Sequence, residues 1–508
     1  MGLTSTDIYL ISPELALAGL ALAVVLLDLA LKNKTVVLGV AVVGLLVPIA
    51  FAVSLWVRVD GLVFARETGF NGSLVIDQFA IFFKLLLLGI LVLVLLASNE
   101  YTGRFRRYQA EFTGLVFFSA TGLMLLPAAG DLITVYVALE LASLPIVALA
   151  AFLKMQARST EAGLKYLVLS GVSSAVLLYG FALLYAATGT MRIVSPSAAE
   201  PSIAQMLTVT HAGLPFGNVA VLAGVVLVLA GFGFKLSMVP FQMWTPDVYE
   251  GAPTPVSAFL AVASKSAAFA VVLRVFYSAL GDVSADWSLV FAALAAVTMS
   301  VGNLVAIAQS NVKRLLGYST IAHAGYMLVG VAAIAARAGD AGDGSLGIVS
   351  VLFYLGGYAA MNLAAFFAVI AITNRTGNET VRGLAGLGQR SPLLAGMLAF
   401  ALVSLTGIPP TVGFMGKLFV FNAAINTGYT WLAVIGVINS VVSAYYYLNI
   451  VRVMYLQPAD GDARPVSANA PATVALAFTS IAVLLFGLWP TGLLDAARAA
   501  ATALLQTL

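Results

Sequence analysis

The chain is predicted to be an all-α polytopic membrane protein of about fourteen transmembrane helices, with two inverted five-helix repeats and two broken helices. Three observations predict this. Of 508 residues, 61% are hydrophobic and only 9% charged, where a soluble protein carries about a quarter; mean hydropathy is +1.02. Apolar runs long enough to cross a bilayer, about 20 residues each, recur from end to end. Two of those runs are interrupted by proline at matching places.

The runs lie at about 8–31, 36–56, 76–98, 109–128, 132–153, 160–188, 219–243, 254–280, 286–309, 314–336, 346–373, 393–424, 427–455 and 472–490. The first has Pro13 and Glu14 at its start and no small-residue cleavage site, so it is expected to be retained. The seventh reads GFGFKLSMVPFQMW, with Pro240 past Lys235, and the twelfth reads LTGIPPTVGFMGK, with Pro409 and Pro410 ahead of Lys417. Proline inside a helix frees a backbone carbonyl, and lipid tolerates such groups only where protein or water satisfies them. Runs four to eight and nine to thirteen form two groups of five, each broken in its fourth member. An odd number per group inverts the second relative to the first, the pattern of ion-coupled transporters. The expected divisions are 1–107 (three N-terminal helices), 108–283 (first repeat), 284–456 (inverted repeat) and 457–508 (a loop and the last span).

Charge placement orients the chain. Loops opposite the termini carry about fourteen Lys and Arg, among them Lys32, Lys34, Arg104, Arg106, Arg107 and Arg464. The terminal side carries about six: Arg58, Arg66, Arg192, Arg274, Arg337 and Arg498. The positive-inside rule then places both termini outside the cytoplasm.

With no cysteine, no iron–sulfur cluster or thiolate metal site is possible. The two histidines, His211 in a loop and His323 in a span, cannot make a bis-histidine haem site. Walker and dinucleotide motifs are missing. Redox and ATP chemistry are therefore expected outside this chain, and no nucleic-acid partner is expected.

Lys84, Lys165, Lys235, Lys265 and Lys417 fall within apolar runs, and arginine is not expected there. Each ionisable group at bilayer depth costs roughly 2.5–3.5 kcal/mol. A desolvated lysine can release its proton, which arginine does not, so buried lysines point to a proton path. Glu140, in VALELASLP, is expected to pair with a lysine of its own repeat. His323, in STIAHAGYML, stands between the lysines of the two repeats. Lys165 either snorkels or serves a relay on the cytoplasmic side. Lys84 is expected to snorkel or to make a structural pair, and Asp28, Asp77, Glu111 and Asp131 to face headgroups or loops.

The run KLSMVPFQMWTPDVYEGAPTPVSAFLAVASK, from Lys235 to Lys265, resembles the antiporter-like membrane subunits of bacterial respiratory Complex I (NADH–quinone oxidoreductase). The PDVYEGAP stretch, Lys417 in GFMGK and the chain length favour the N type over its M and L paralogues; LKYLVLSG and STIAHAGYMLVG match as well. The resemblance implies proton pumping, with Glu140 and Lys235 as a modulating ion pair. Lys165 and Lys265 would continue a hydrophilic axis, His323 would join two half-channels and Lys417 would stand at the exit. Gln242 departs from the family, where many relatives have His.

The resemblance further implies a subunit driven by quinone reduction elsewhere. It would carry no cofactor itself, with NAD, FMN, iron–sulfur clusters and quinone in partner subunits. Its partners would be other membrane and peripheral subunits, a paralogous antiporter-like subunit above all, together with the bilayer and protons. Its place would be a bacterial inner (plasma) membrane, an organellar membrane being the alternative. A subunit of a multisubunit cation/proton antiporter and a non-pumping assembly scaffold are the competing readings.

Overall fold

The structure is a computed structural model that describes residues 4–31, 34–60, 66–196, 200–210, 219–281, 284–335, 345–459 and 465–506. Lys32, His211, Arg337 and Arg464 lie outside the described residues, as do the side chains of Lys34, Arg104, Arg106 and Arg107.

Lipid offers backbone groups no partner, so each apolar run must satisfy its own and becomes a helix. In order these are α1 (Ser12–Ala30), α2 (Val36–Asp60), α3 (Gln78–Thr102), α4 (Gln109–Leu125), α5 (Leu132–Ala150) and α6 (Ala157–Thr188). Next come α7 (Val219–Leu236), α8 (Trp244–Gly251), α9 (Thr254–Ala279), α10 (Ser284–Ile307), α11 (Val312–Ala335) and α12 (Ser345–Thr376). The last are α13 (Pro392–Thr406), α14 (Val412–Asn426), α15 (Thr430–Leu456), α16 (Ala470–Leu488) and α17 (Thr491–Leu505). Among the described residues, 13 helices are long and apolar enough to cross a membrane. The shorter α13 and α14 together stand where the twelfth run is expected. A small hairpin, β1 (Arg66–Gly69) and β2 (Leu74–Asp77), joins α2 to α3.

Side chains at the span ends start the helices. Asp77 accepts from Ala80 N–H at 2.7 Å, Asp131 from Thr134 N–H at 2.7 Å and Asn469 from Ala472 N–H at 3.0 Å, each meeting an otherwise orphaned donor. Small residues then let helices approach. A Cβ at Gly302 of α10 or Gly325 of α11 would come within 2.6 Å of Ala322 N or 2.5 Å of Met299 N, the close packing expected where lipid supplies no hydrophobic drive.

Three helices form the innermost layer. The hydrophobic windows of α9 and α12 are 100% buried and that of α11 is 94% buried, against 28% for α1, α2 and α16. The central helices therefore never meet lipid, and polar groups on them are shielded on every side.

The structure corrects the sequence in three places. The seventh run is expected to end near 243, but α7 stops at Leu236 and α8 follows an interruption at 237–243. WTPDVYEG is too polar for hydropathy to mark; it folds against α6 and α11 by burying Trp244, Val248 and Tyr249. Beyond the last span, α17 is an added amphipathic helix. Ala497, Ala500, Ala501 and Leu504 recur at helical spacing and are buried, and the helix packs on α12 and α3.

The third correction concerns charge. Arginine is not expected inside a span and Asp77 is expected to face headgroups or loops, yet Arg274 of α9 and Asp77 are both fully buried. They make two parallel hydrogen bonds of 2.8 Å, the fork geometry that suits guanidinium and carboxylate. The partners are 197 positions apart, so neither one's neighbours in sequence disclose the pair. Lys84 is likewise buried, 2.9 Å from Glu14 of α1, a structural pair rather than a snorkelling side chain.

Removing one partner of such a pair strands a buried charge and costs about 3–5 kcal/mol, whereas an apolar replacement of both is close to neutral. Arg274→Met should therefore lower the thermal unfolding midpoint of the chain in lipid nanodiscs sharply. Adding Asp77→Asn, which keeps a capping oxygen for α3, should restore most of it. A single variant as stable as the parent would show that the pair does not anchor β2 to α9.

Candidate proton-relay site

The break after α7 builds the first half of the site. A helix that ends inside protein leaves carbonyls without partners. Here Phe234 O accepts from Ser237 N–H at 3.0 Å and from the Trp244 indole N–H at 2.8 Å, and Gly233 O accepts from Met238 N–H at 3.0 Å. Leu236 O accepts from Lys265 Nζ of α9 at 2.9 Å. Lys265 directly follows a π-helical turn, Leu260–Ser264, a widened turn common at functional positions. Lys235 turns the other way: its Nζ donates to Ser143 Oγ of α5 at 2.5 Å, and that hydroxyl donates on to Leu139 O at 2.6 Å.

The expected Glu140–Lys235 ion pair is not formed. Glu140 Oε1 is buried without a hydrogen-bond partner. The cause is helical phase. Glu140 shares the outer stripe of α5 with exposed Ile133, Val137 and Leu144, whereas Leu139 and Ser143 face inward. Glu140 stands within one turn of the hydroxyl that holds Lys235, near the lysine rather than in contact with it.

The second break repeats the solution. α13 ends at Gly407, whose φ of 91° is left-handed and so favours glycine. Lys417 of α14 reaches back, its Nζ 2.7 Å from Thr406 O and 3.4 Å from Leu405 O, and 4.5 Å from the centre of the Tyr326 ring. At Gly413 a side chain would collide with Ser404 O. Lys265 and Lys417 thus each place an ammonium on the carboxyl end of a half-helix, the negative end of its dipole.

His323 lies midway along α11. Its Nδ1 is 2.8 Å from Tyr354 OH and its Nε2 3.3 Å from Tyr447 OH; Tyr447 also shares a short hydrogen bond with Ser319. Tyr358 OH donates to Thr320 Oγ1 at 3.1 Å and accepts from Asn362 Nδ2 at 3.0 Å. Tyr326 accepts from Asn303 Nδ2 at 3.1 Å. Buried tyrosines normally require partners for their hydroxyls, and here they gather around His323. Sequence reasoning missed them. The signal available was hydroxyl-bearing aromatics in the middle of apolar runs, at Tyr166, Tyr326, Tyr354, Tyr358 and Tyr447.

Lys165 is not part of this buried row. Its side chain is 40% exposed and its Nζ lies 2.7 Å from both Glu161 and Asp247; Asp247 in turn binds Arg314 at 2.6 Å. Lys313, at the start of α11, is buried, 2.8 Å from Glu379 and 3.1 Å from Ala252 O. Gln242 Oε1 is buried without a hydrogen-bond partner. Among the described residues, no cluster of three or more histidines and carboxylates is placed to hold a metal ion.

Lys235, Lys265, His323 and Lys417 are all buried. Among the described residues, no carboxylate comes within ion-pair distance of any of the three lysines. Their partners are neutral oxygens, which hold an ammonium yet strand no charge when the proton leaves.

Lys417→Met should leave the Thr406 and Leu405 carbonyls unmet and destabilise the chain by about 1–3 kcal/mol. Lys417→Gln keeps an N–H donor and should retain more of that stability. Thermal unfolding of both variants in nanodiscs checks this; equal midpoints would remove the capping role.

Residues 129–443 match the family model described as NADH:quinone oxidoreductase/Mrp antiporter, transmembrane. The chain is 39% identical to NADH-quinone oxidoreductase subunit N of Dehalococcoides mccartyi, over 96% of this chain and 97% of that one. It is 41% identical to the subunit N of Desulfitobacterium hafniense, over 99% and 100%. A solved chain of respiratory complex I from Thermus thermophilus, with bound aureothin, superposes with a TM-score of 0.76 at 31% identity, covering 96% of this chain and 99% of that one.

Proposed function

The chain belongs to the NADH:quinone oxidoreductase/Mrp antiporter transmembrane family, on its subunit N branch, and from that membership and the buried lysine row we propose how it carries protons. It is an antiporter-like membrane-arm subunit of an NADH–quinone oxidoreductase, moving protons while quinone is reduced in other subunits. Lys235, Lys265 and Lys417 are the carriers and His323 links the halves. Glu140 biases Lys235 electrostatically, and Lys165 orders the charged surface beside α8. Residues 108–283 and 284–456 act as inverted repeats, with both termini outside the cytoplasm of a bacterial inner membrane. NAD, FMN, iron–sulfur clusters and quinone belong to partner subunits, among them a paralogous antiporter-like neighbour.

The observation that carries this reading is that, among the described residues, the row has no counter-ions. The buried charges that hold the fold together, Arg274, Lys84 and Lys313, each have a carboxylate within 3 Å. Lys235, Lys265 and Lys417 have hydroxyl or carbonyl oxygen instead. A group that alternates between ammonium and amine needs partners that tolerate both states. Tyrosine and serine hydroxyls, which donate and accept, are suited to pass the proton between them.

The assembled complex, carrying variants in this chain, tests it. Lys235→Ala should abolish most proton transport per quinone reduced while the complex still assembles, and Lys235→Arg should fail as well because guanidinium holds its proton. Wild-type stoichiometry in the Arg variant would rule out proton cycling at this lysine.

His323→Met keeps bulk and apolarity but offers Tyr354 and Tyr447 no nitrogen. Pumping should fall strongly in it and be partly retained in His323→Gln, whose amide still hydrogen-bonds. Proton-to-electron ratios in sealed vesicles read the difference, and normal pumping by the Met variant would make His323 a packing residue.

A further inference from the structure

We propose that Asn303 of α10 is a positioning residue for the proton path: its one amide holds the hydroxyls of Tyr326 and Tyr446, and so keeps the Tyr326 ring against Lys417. The inference rests on the proton-carrying function proposed above and adds to it a residue that carries no proton itself. Asn303 is fully buried and stands level with the middle of α11, where Gly302 packs against Ala322. An amide placed there without partners would be costly, yet both ends of this one are used. Its Nδ2 lies 2.9 Å from Met299 O, 3.1 Å from Tyr326 OH and 3.3 Å from Asn439 Oδ1. Its Oδ1 accepts from Tyr446 OH at 3.0 Å. Met299 O can only accept, so it fixes which end of the amide donates and leaves Oδ1 for the Tyr446 proton.

The two hydroxyls lead in opposite directions. Tyr446 reaches back to His323. Its ring centre is 4.3 Å from that of Tyr447, the two hydroxyls interact, and Tyr447 OH lies 3.3 Å from His323 Nε2. Tyr326 reaches forward, its ring centre 4.5 Å from Lys417 Nζ. An amide that served only to join α10 to α15 would need Asn439 alone. The bonds to two tyrosines, one toward the histidine and one toward the lysine, go beyond that. Because Tyr326 accepts from the amide, its own proton stays available for donation.

Solid-state NMR of the full chain in nanodiscs, with ring-13C tyrosine and 15Nζ lysine, reads the contact as a dipolar coupling. The parent should show Tyr326 against Lys417, identified by its loss in Tyr326→Phe, and Tyr166 against Lys235, whose Nζ is 5.6 Å from the ring centre. Asn303→Leu, which matches the shape of the side chain but removes the amide, should lower the first coupling at least twofold and leave the second unchanged. Asn303→Gln, with the amide on a longer arm, should restore part of it. In the assembled complex, Asn303→Leu and Tyr326→Phe should each cause at least half the loss of pumping caused by Lys417→Gln. The double variant should lose no more than the worse single one, since both cut the same link. An unchanged coupling in Asn303→Leu, equal weakening of both contacts, parent-level pumping in Tyr326→Phe, or additive losses in the double variant would each overturn the proposal. Should Asn303→Leu not fold, Tyr326→Phe, which lacks a single oxygen atom, decides it by its pumping. If Lys417→Gln itself pumps at the parent ratio, the proposed function fails at that lysine, and the labelled contact alone decides whether Asn303 positions the ring.

Discussion

Two helix ends stranded inside the molecule govern everything around them. Each presents carbonyls that neither water nor lipid reaches, and an unmet buried acceptor costs about 1–3 kcal/mol. A buried lysine has the complementary defect, three donors and no solvent. At Leu236 the answer is Lys265, and at Thr406 it is Lys417. Either defect alone would be destabilising; placed together they satisfy one another. This requires helices with no lipid-facing side, and α9, α11 and α12 are those helices.

The charges sort into two kinds by their partners. Arg274 with Asp77, Lys84 with Glu14 and Lys313 with Glu379 are closed pairs that tie distant parts of the chain. Lysines resting on hydroxyls and carbonyls are open, since protonation and its loss both leave those oxygens usable. The same side chain thus serves as a rivet or, on the proposed function, as a carrier according to whether its partner bears charge.

Much of this was legible in the sequence because hydropathy and proline act locally. Spans, both breaks and the lysines beside them are written in consecutive residues. Long-range partners are not. Nothing near Asp77 names Arg274, and no pattern shows that Lys235 meets Ser143 rather than Glu140, since that depends on the rotation of α5 about its axis. Lys313 opens an apolar run and reads as a loop residue until Glu379 folds over it. The helix α8 escaped for the opposite reason: its Asp247 and Glu250 make it look like a connection, and only the cations of Lys165, Arg158 and Arg314 explain how it lies within the protein. The tyrosines around His323 were hidden by composition, counted as aromatic bulk when their oxygen atoms matter most.

The level at which the lysines and histidine stand has an electrical consequence. Lys265 and His323 lie near the middle of α9 and α11; the end of α7 that carries Lys235 meets Lys265 through Leu236 O, and Lys417 stands at the break after α13. On the proposed function, a proton passed from one to the next would travel sideways, along a surface of nearly constant potential, and membrane voltage would do no work on it. The roughly 2.3 kcal/mol that 100 mV exerts on a full crossing falls on the steps that join the row to either face. Voltage would therefore oppose loading and unloading while leaving the lateral transfers as fast in an energised membrane as in a collapsed one.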